Sequence, residues 1–152
     1  MKKIILALLC FASFGFAGLN NVEYDKTLKK KEEHRAVALV RKMVLSKEIR
    51  DLIGFKIDPI TKITNIYQGV DDRKNIVYEY TVNTNKEKSL KESDYGRYAV
   101  FLWEQNLPNV CASNEMKMFI KLGVGARYIY LDSNGKTIAD MTIGKKDCDS
   151  LE

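Results

Sequence analysis

Two cysteines, Cys111 and Cys148, place the strongest constraint on how this chain can fold. The third, Cys10, lies in the first 17 residues, MKKIILALLCFASFGFA, where two lysines precede an apolar run that ends in small Ala17. This layout is typical of a secretory signal peptide, and the apolar run is shorter than the ~20 residues of a membrane-spanning helix. We expect cleavage after Ala17 and a periplasmic or secreted mature chain, residues 18–152.

Retention of the amino-terminal segment is the alternative to cleavage. An uncleaved segment would anchor the protein, and a lipid on Cys10 would make it a lipoprotein. Lipoprotein signals carry a small residue before the modified cysteine, whereas Leu9 stands there in this chain. We therefore expect no stable membrane insertion of the mature chain.

An even number of cysteines in an oxidising compartment indicates a disulfide between Cys111 and Cys148. The bond would enclose 36 residues, 112–147, and chain-entropy arguments give such a link about 3 to 4 kcal/mol of stability. A zinc site is disfavoured because such sites use four ligands, often at short paired spacings. Cysteine catalysis is disfavoured because a nucleophile needs a nearby base, and the one histidine, His34, is far away in the sequence. We expect no metal and no cofactor.

Hydrophobic spacing of three and four residues predicts three helices. They run from Asp25 or Thr27 to Gly54, from Ser93 to Leu107, and from Ser113 or Asn114 to Gly123. The second is expected to stop before Pro108, because the residue that precedes a proline is disfavoured in helical geometry.

Alternating apolar and polar residues predict two β-hairpins. Their strands are Ile60 to Gly69 with Asn75 to Asn83, and Ala126 to Leu131 with Lys136 to Ile143. The second turn contains Asn134-Gly135, a pair that supplies the positive φ angles of tight hairpins. The order α-β-β-α-α-β-β predicts one α+β domain, residues 18–152. In it, helices pack on one face of a four-stranded antiparallel sheet.

Charge and motifs exclude several classes of function. The formal net charge is +5 and falls to +3 when the two lysines of the first 17 residues are removed, since 23 basic and 20 acidic residues remain. These charges are mixed along the chain, whereas nucleic-acid binding proteins cluster basic residues on one face. The chain also lacks the GxSxG and phosphate-loop patterns. We expect no nucleic-acid partner, no catalytic residues and no enzymatic activity.

Tyrosines are the best candidates for a binding surface. Tyr78 and Tyr80 share one face of their strand, and Tyr128 and Tyr130 share one face of theirs. Tyrosine suits interfaces because its ring is apolar and its tip polar. The favoured alternative is that these rings pack beneath the helices as core residues, because Ile76 and Val82 share the face of the first pair. Arg127 has the opposite parity and would flank a surface on the other face.

The favoured function is that of a small exported protein that binds another envelope or periplasmic protein. Such a protein would be an accessory or assembly factor of an envelope system, or an inhibitor or immunity-type protein. One alternative is a small-ligand carrier with an apolar cavity of roughly a few hundred Å3, lined by Tyr98, Trp103 and Phe119. A hydrolase, less favoured, would need His34 in a cleft beside a carboxylate.

Overall fold

The structure of the protein is a computed structural model that describes residues 29–85 and 90–151. The predicted signal peptide, the cleavage after Ala17, Cys10 and the two expected starts of the first helix, Asp25 and Thr27, lie outside the described residues. They stay predictions.

A four-stranded sheet forms the centre of the fold. Its strands are β1 (Thr61–Gln68), β2 (Asn75–Val82), β3 (Gly125–Leu131) and β4 (Thr137–Ile143), and their order in the sheet is β1-β2-β3-β4. The two predicted hairpins pair antiparallel, whereas β2 and β3 pair parallel. Parallel neighbours need a crossover connection, which the helices between β2 and β3 provide. The sheet is therefore mixed and mostly antiparallel, where the sequence analysis expected every pair to be antiparallel.

In the described residues, five α-helices and one 3-10 turn (Glu92–Asp94) accompany the sheet. The α-helices are α1 (Lys29–Leu45), α2 (Lys47–Arg50), α3 (Tyr95–Ala112), α4 (Asn114–Lys121) and α5 (Lys145–Asp149). The predicted first helix, which was expected to continue to Gly54, is interrupted at Ser46, whose hydroxyl accepts a hydrogen bond from the Ile49 amide and caps α2. The α+β class and the order of the main elements are confirmed.

Helix α3 continues through Pro108, so the end predicted just before this residue is wrong. A proline inside a helix removes one backbone hydrogen bond and costs about 3 kcal/mol. Two features of the neighbouring turns oppose this cost. The Asn109 side-chain amide donates to the Gln105 carbonyl at 2.7 Å, and the turn after the proline buries Val110 and Cys111.

The start of α3 is attached to the β3–β4 turn through Asp132, which is only 5% exposed. Its carboxylate accepts the backbone N–H groups of Asn134 and Lys136, both at 2.8 Å, and the Tyr95 hydroxyl at 2.9 Å. Burial by itself would raise the pKa of Asp132, but these hydrogen bonds outweigh it and lower the pKa. The turn also has the expected glycine at positive φ, Gly135 at 82°.

Asp132 gives the protein a pH-dependent stability. Since its pKa is lower in the folded than in the unfolded chain, its contribution is present above the unfolded value of about 3.9 and disappears as the pH falls through the folded value. Asp132→Asn should lower the free energy of unfolding by about 1.5 to 3 kcal/mol at pH 7, and the difference from the unsubstituted protein should shrink by pH 3. Urea unfolding at both pH values measures this. Asp149→Asn, at an exposed ion pair, should change little; an equal Asp132→Asn effect at both pH values would contradict the assignment.

The predicted disulfide between Cys111 and Cys148 is confirmed, with a Cα–Cα distance of 5.3 Å. It joins the last turn of α3 to α5, which follows β4 directly. Helix α3 is thereby held at both ends against the β3–β4 hairpin, by Asp132 at its start and by the disulfide at its end. This arrangement fixes the position of α3 over the sheet.

The helices cover one face of the sheet. Helix α1 contacts β1 and β2, and α3 contacts β4. Residues of β2 that point to this side are buried, namely Ile76, Tyr78, Tyr80 and Val82. On α1, Ala36, Val40 and Met43 are buried at helical spacing. Helix α1 therefore lies over β1 and β2, and α3 lies over the β4 side of the sheet.

Candidate binding site

The four candidate tyrosines form a stack across β2 and β3. Tyr78 pairs in register with Tyr128, and Tyr80 with Tyr130; their ring centroids are 5.5 Å and 4.7 Å apart. The diagonal pair Tyr80 and Tyr128 is 6.3 Å apart, and all three contacts are nearly parallel. Parallel, in-register pairing places like side chains next to each other, which explains the stack.

These rings lie beneath the helices, with 3% to 6% of each residue exposed. Their location is the one that the alternative in the sequence analysis described, since they belong to the core and form no open surface patch. Burial raises the pKa of all four hydroxyls, which are therefore neutral at physiological pH. A partner can reach them only through a cavity.

Arg127 lies on the opposite face of the sheet from the tyrosines. Its guanidinium donates two hydrogen bonds to Asp140 on β4, at 2.8 Å and 2.6 Å, and is 3.6 Å from the Asp71 carboxylate. The paired hydrogen bonds raise the pKa of Arg127 and lower that of Asp140. The five predicted binding residues are thus divided between the two faces, and Arg127 links β3 to β4.

A cavity of about 60 Å3 lies above the tyrosine stack. One wall is the chain that enters β1, through Ile57, Asp58 and Thr61. The other wall is one face of α3, formed by Tyr98, Phe101, Leu102, Gln105, Asn106 and Asn109. Positions three and four apart share a helix face, so these α3 residues converge on the tyrosine floor.

Apart from Tyr98, the residues of the α3 wall were not predicted from the sequence. Three amides, Gln105, Asn106 and Asn109, share a helix face with Tyr98 and Leu102. On this face of α3, apolar residues are followed by polar ones, and that change is visible in the sequence. The predicted early end of the helix obscured it, because Asn109 lies beyond Pro108.

Polar groups of the cavity are only partly paired. Tyr130 accepts a hydrogen bond from the Asn106 amide at 3.2 Å. Asp58 accepts the backbone N–H groups of Ile60 and Thr61 at 2.8 Å and 2.7 Å. The hydroxyls of Thr61 and Tyr78 are buried and have no hydrogen-bond partner among the described residues. Buried hydroxyls are nearly always paired with protein groups or with water, so these two can bind water or a polar group that enters the cavity.

The two alternative functions, a small-ligand carrier and a hydrolase, find less support in the structure. The cavity is well below the roughly 300 Å3 at which pockets for small organic ligands begin. Of the three residues expected to line a carrier pocket, Tyr98 lines the cavity, whereas Trp103 and Phe119 do not. His34, which a hydrolase would need, is exposed on α1 and lies outside the cavity lining.

Within residues 29–85 and 90–151, no group of three or more His, Cys, Asp or Glu side chains is arranged to hold a metal ion. No helix in these ranges has the length and apolarity to cross a membrane.

Comparison with known proteins gives a likeness of fold. No protein-family model matches the chain, and no curated protein matches it. The chain resembles the type II secretion pilotin EpsS of Vibrio vulnificus with 13% identity and a TM-score of 0.63, covering 78% of this chain and 96% of that one. For the type II secretion pilotin AspS of Vibrio cholerae the values are 11%, 0.58, 80% and 99%. A Pseudomonas aeruginosa protein described as secreted gives 12%, 0.59, 77% and 96%. The chain therefore has a fold similar to that of two secretion-system pilotins.

Proposed function

We propose that this protein is an exported accessory factor of an envelope assembly system and acts by binding another envelope protein. The observation that carries the proposal is the likeness to two type II secretion pilotins, which extends over 96% and 99% of their chains. A likeness of this extent involves the whole domain and not one shared motif.

The rim of the cavity supports a role in protein binding. Phe101 is 43% exposed at the cavity wall, and its ring stacks on Tyr98 at 5.9 Å. The neighbouring Val100 is 58% exposed. Exposed aromatic residues next to a recess are typical of interfaces, where buried aromatic anchors contribute much of the binding energy.

Export to the periplasm is part of the proposal. The signal-like first 17 residues and the Cys111–Cys148 disulfide both support it, because disulfides persist in oxidising compartments. The third similar structure, of a protein described as secreted, is consistent with it.

Capture of the partner from intact cells tests the function. A carboxy-terminally tagged protein, expressed with its own amino-terminal segment and crosslinked in living cells, should recover a component of an envelope machine. Phe101→Ala should lower the recovery about tenfold or more, since truncating a central interface aromatic costs about 2 kcal/mol.

Val70→Ala is the matched control for this capture. Val70 is 84% exposed and lies in the β1–β2 turn, at the opposite end of the hairpin from Thr61, so recovery should be unchanged. Equal recovery with both variants would contradict a role of the α3 rim. Recovery of a toxin or an enzyme in place of a machine component would indicate an inhibitor or immunity-type protein and refute the assembly role.

A further inference from the structure

Two buried hydroxyl groups that line the cavity have no hydrogen-bond partner in the described chain. Thr61 and Tyr78 are 2% and 6% exposed, both line the cavity, and both have an unpartnered hydroxyl. An unpaired buried hydroxyl destabilises a protein, whereas an apolar side chain of the same shape would not. An apolar group that displaced water from the cavity would leave these hydroxyls unpaired, so a group that binds here has to offer hydrogen bonds.

The charge in the cavity indicates which kind of hydrogen-bonding group would bind there. Asp58 is the one acidic or basic residue in the described lining, and a carboxylate only accepts hydrogen bonds. Burial is the main cause of the raised pKa of Tyr130, and the nearby Asp58 carboxylate adds to it. The Asp58 carboxylate would repel an anionic group and attract a cationic hydrogen-bond donor.

Oxygen atoms in the lining fit a cationic donor. Five tyrosines and one phenylalanine line the cavity: Tyr78, Tyr80, Tyr98, Tyr128, Tyr130 and Phe101. The floor rings of β2 and β3 stack on one another, so their hydroxyl oxygens and not their faces are the groups available to a cation. Carboxylate and amide oxygens are further acceptors for the N–H groups of the cation.

The size of the cavity limits the cation to a small group. A volume of about 60 Å3 holds about two water-sized groups at about 30 Å3 each, which matches the end of one long side chain. From these observations we infer that the cavity receives the amine or guanidinium end of a lysine or arginine side chain of the partner protein. This inference rests on the proposed function, because a partner must present the side chain.

Side-chain analogues test the inference on the purified protein without the partner. In NMR titrations at constant ionic strength, n-butylammonium or n-propylguanidinium should shift the amide signals of Ile60 and Thr61 and the ring signals of Tyr78, with saturation at millimolar concentration. Butan-1-ol and butyrate should bind at least tenfold more weakly. Equal binding of butan-1-ol, or saturation by neither cation, would overturn the inference.

Asp58→Asn removes the charge and keeps the Oδ1 acceptor for the two backbone N–H groups, so the turn is retained. It should weaken n-butylammonium binding about tenfold. The control is Asp72→Asn, since Asp72 makes a similar hydrogen bond to the Lys74 amide, at 3.0 Å, in an exposed turn. Binding that is unaffected by Asp58→Asn would overturn the inference.

Tyr78→Phe and Thr61→Val separate a binding role from a structural one. Each removes an unpartnered hydroxyl, so each should raise the melting temperature by a few degrees while it weakens n-butylammonium binding several-fold. A hydroxyl that only supports the fold would give a lower melting temperature. That result, or unchanged binding in both variants, would overturn the inference.

A peptide form of lysine distinguishes a partner side chain from a free amine. Nα-acetyl-lysine N-methylamide should bind at least as tightly as n-butylammonium; its exclusion would mean that the cavity takes a free amine, and would overturn the inference. If no cation binds while the crosslinked partner is still recovered, the cation site fails and the proposed function stands. If the cations bind and no envelope protein is recovered, the cation site is supported and the proposed function fails.

Discussion

Replacement of Tyr128 by alanine is expected to lower the free energy of unfolding by about 3 to 5 kcal/mol, the range for truncating a buried aromatic side chain. The residue is 3% exposed, and its ring lies between those of Tyr78 and Tyr80, at 5.5 Å and 6.3 Å. The alanine variant therefore loses the ring's buried surface and two ring contacts. Because small domains are stable by about 5 to 15 kcal/mol, urea unfolding followed by circular dichroism measures the loss directly.

Tyr128→Phe is the matched control, because it keeps the ring and the stack and should stay within about 1.5 kcal/mol of the unsubstituted protein. An alanine variant that loses less than about 1 kcal/mol would mean that the ring is not buried in the core. The expected loss also limits how alanine variants are used. A Tyr128→Ala protein that fails to bind a partner reports on folding, so binding is better tested at Phe101, Asp58 and the Tyr78 hydroxyl.

Local sequence signals were sufficient for the hairpins and the disulfide. The β3–β4 hairpin follows from alternation on both sides of Asn134-Gly135, and Gly135 has the required positive φ of 82°. The Cys111–Cys148 bond followed from counting the cysteines that remain after the signal-like segment. Each inference depends on neighbouring residues or on composition, and needs no knowledge of how distant elements pack.

The parallel pairing of β2 with β3 depends on information that alternation does not contain. Residues of a strand point to alternate faces whether its neighbour is parallel or antiparallel. The direction is set by the path of α3 and α4 between the two strands, which is a non-local property. Likewise, the packing of Val110 and Cys111 in the core lets α3 continue through Pro108.

The candidate site was predicted only in part, because its packing is also a non-local property. Alternation correctly placed Tyr78 with Tyr80, and Tyr128 with Tyr130, on common faces, and β2–β3 pairing joined them. Parity alone does not tell which face the helices cover. A place under the helices was favoured because Ile76 and Val82 share the face of Tyr78 and Tyr80, and an open surface was left as the other possibility. Arg127 falls on the other face by the same parity, and its partner Asp140 is 13 residues away across the hairpin.

Removal of the disulfide is expected to have the second large effect. Cys111→Ser combined with Cys148→Ser should lower the free energy of unfolding by about 4 kcal/mol, since the bond closes a loop with a sequence separation of 37 and mainly restricts the unfolded chain. Denaturant unfolding of the double variant and of the oxidised protein measures the difference. Using both serines avoids a free thiol that would form intermolecular bonds.

The reductant provides the matching control, because it breaks the same bond without a substitution. The unsubstituted protein in dithiothreitol should unfold at nearly the denaturant concentration of the double variant, and the variant should not respond to dithiothreitol. An unfolding transition of the unsubstituted protein that is insensitive to reductant would contradict the predicted contribution.

The bond anchors α3 two residues beyond Asn109, the last cavity residue of that helix. In a double variant that remains folded, n-butylammonium binding should therefore weaken, because the α3 wall of the cavity is no longer held against the sheet at that end.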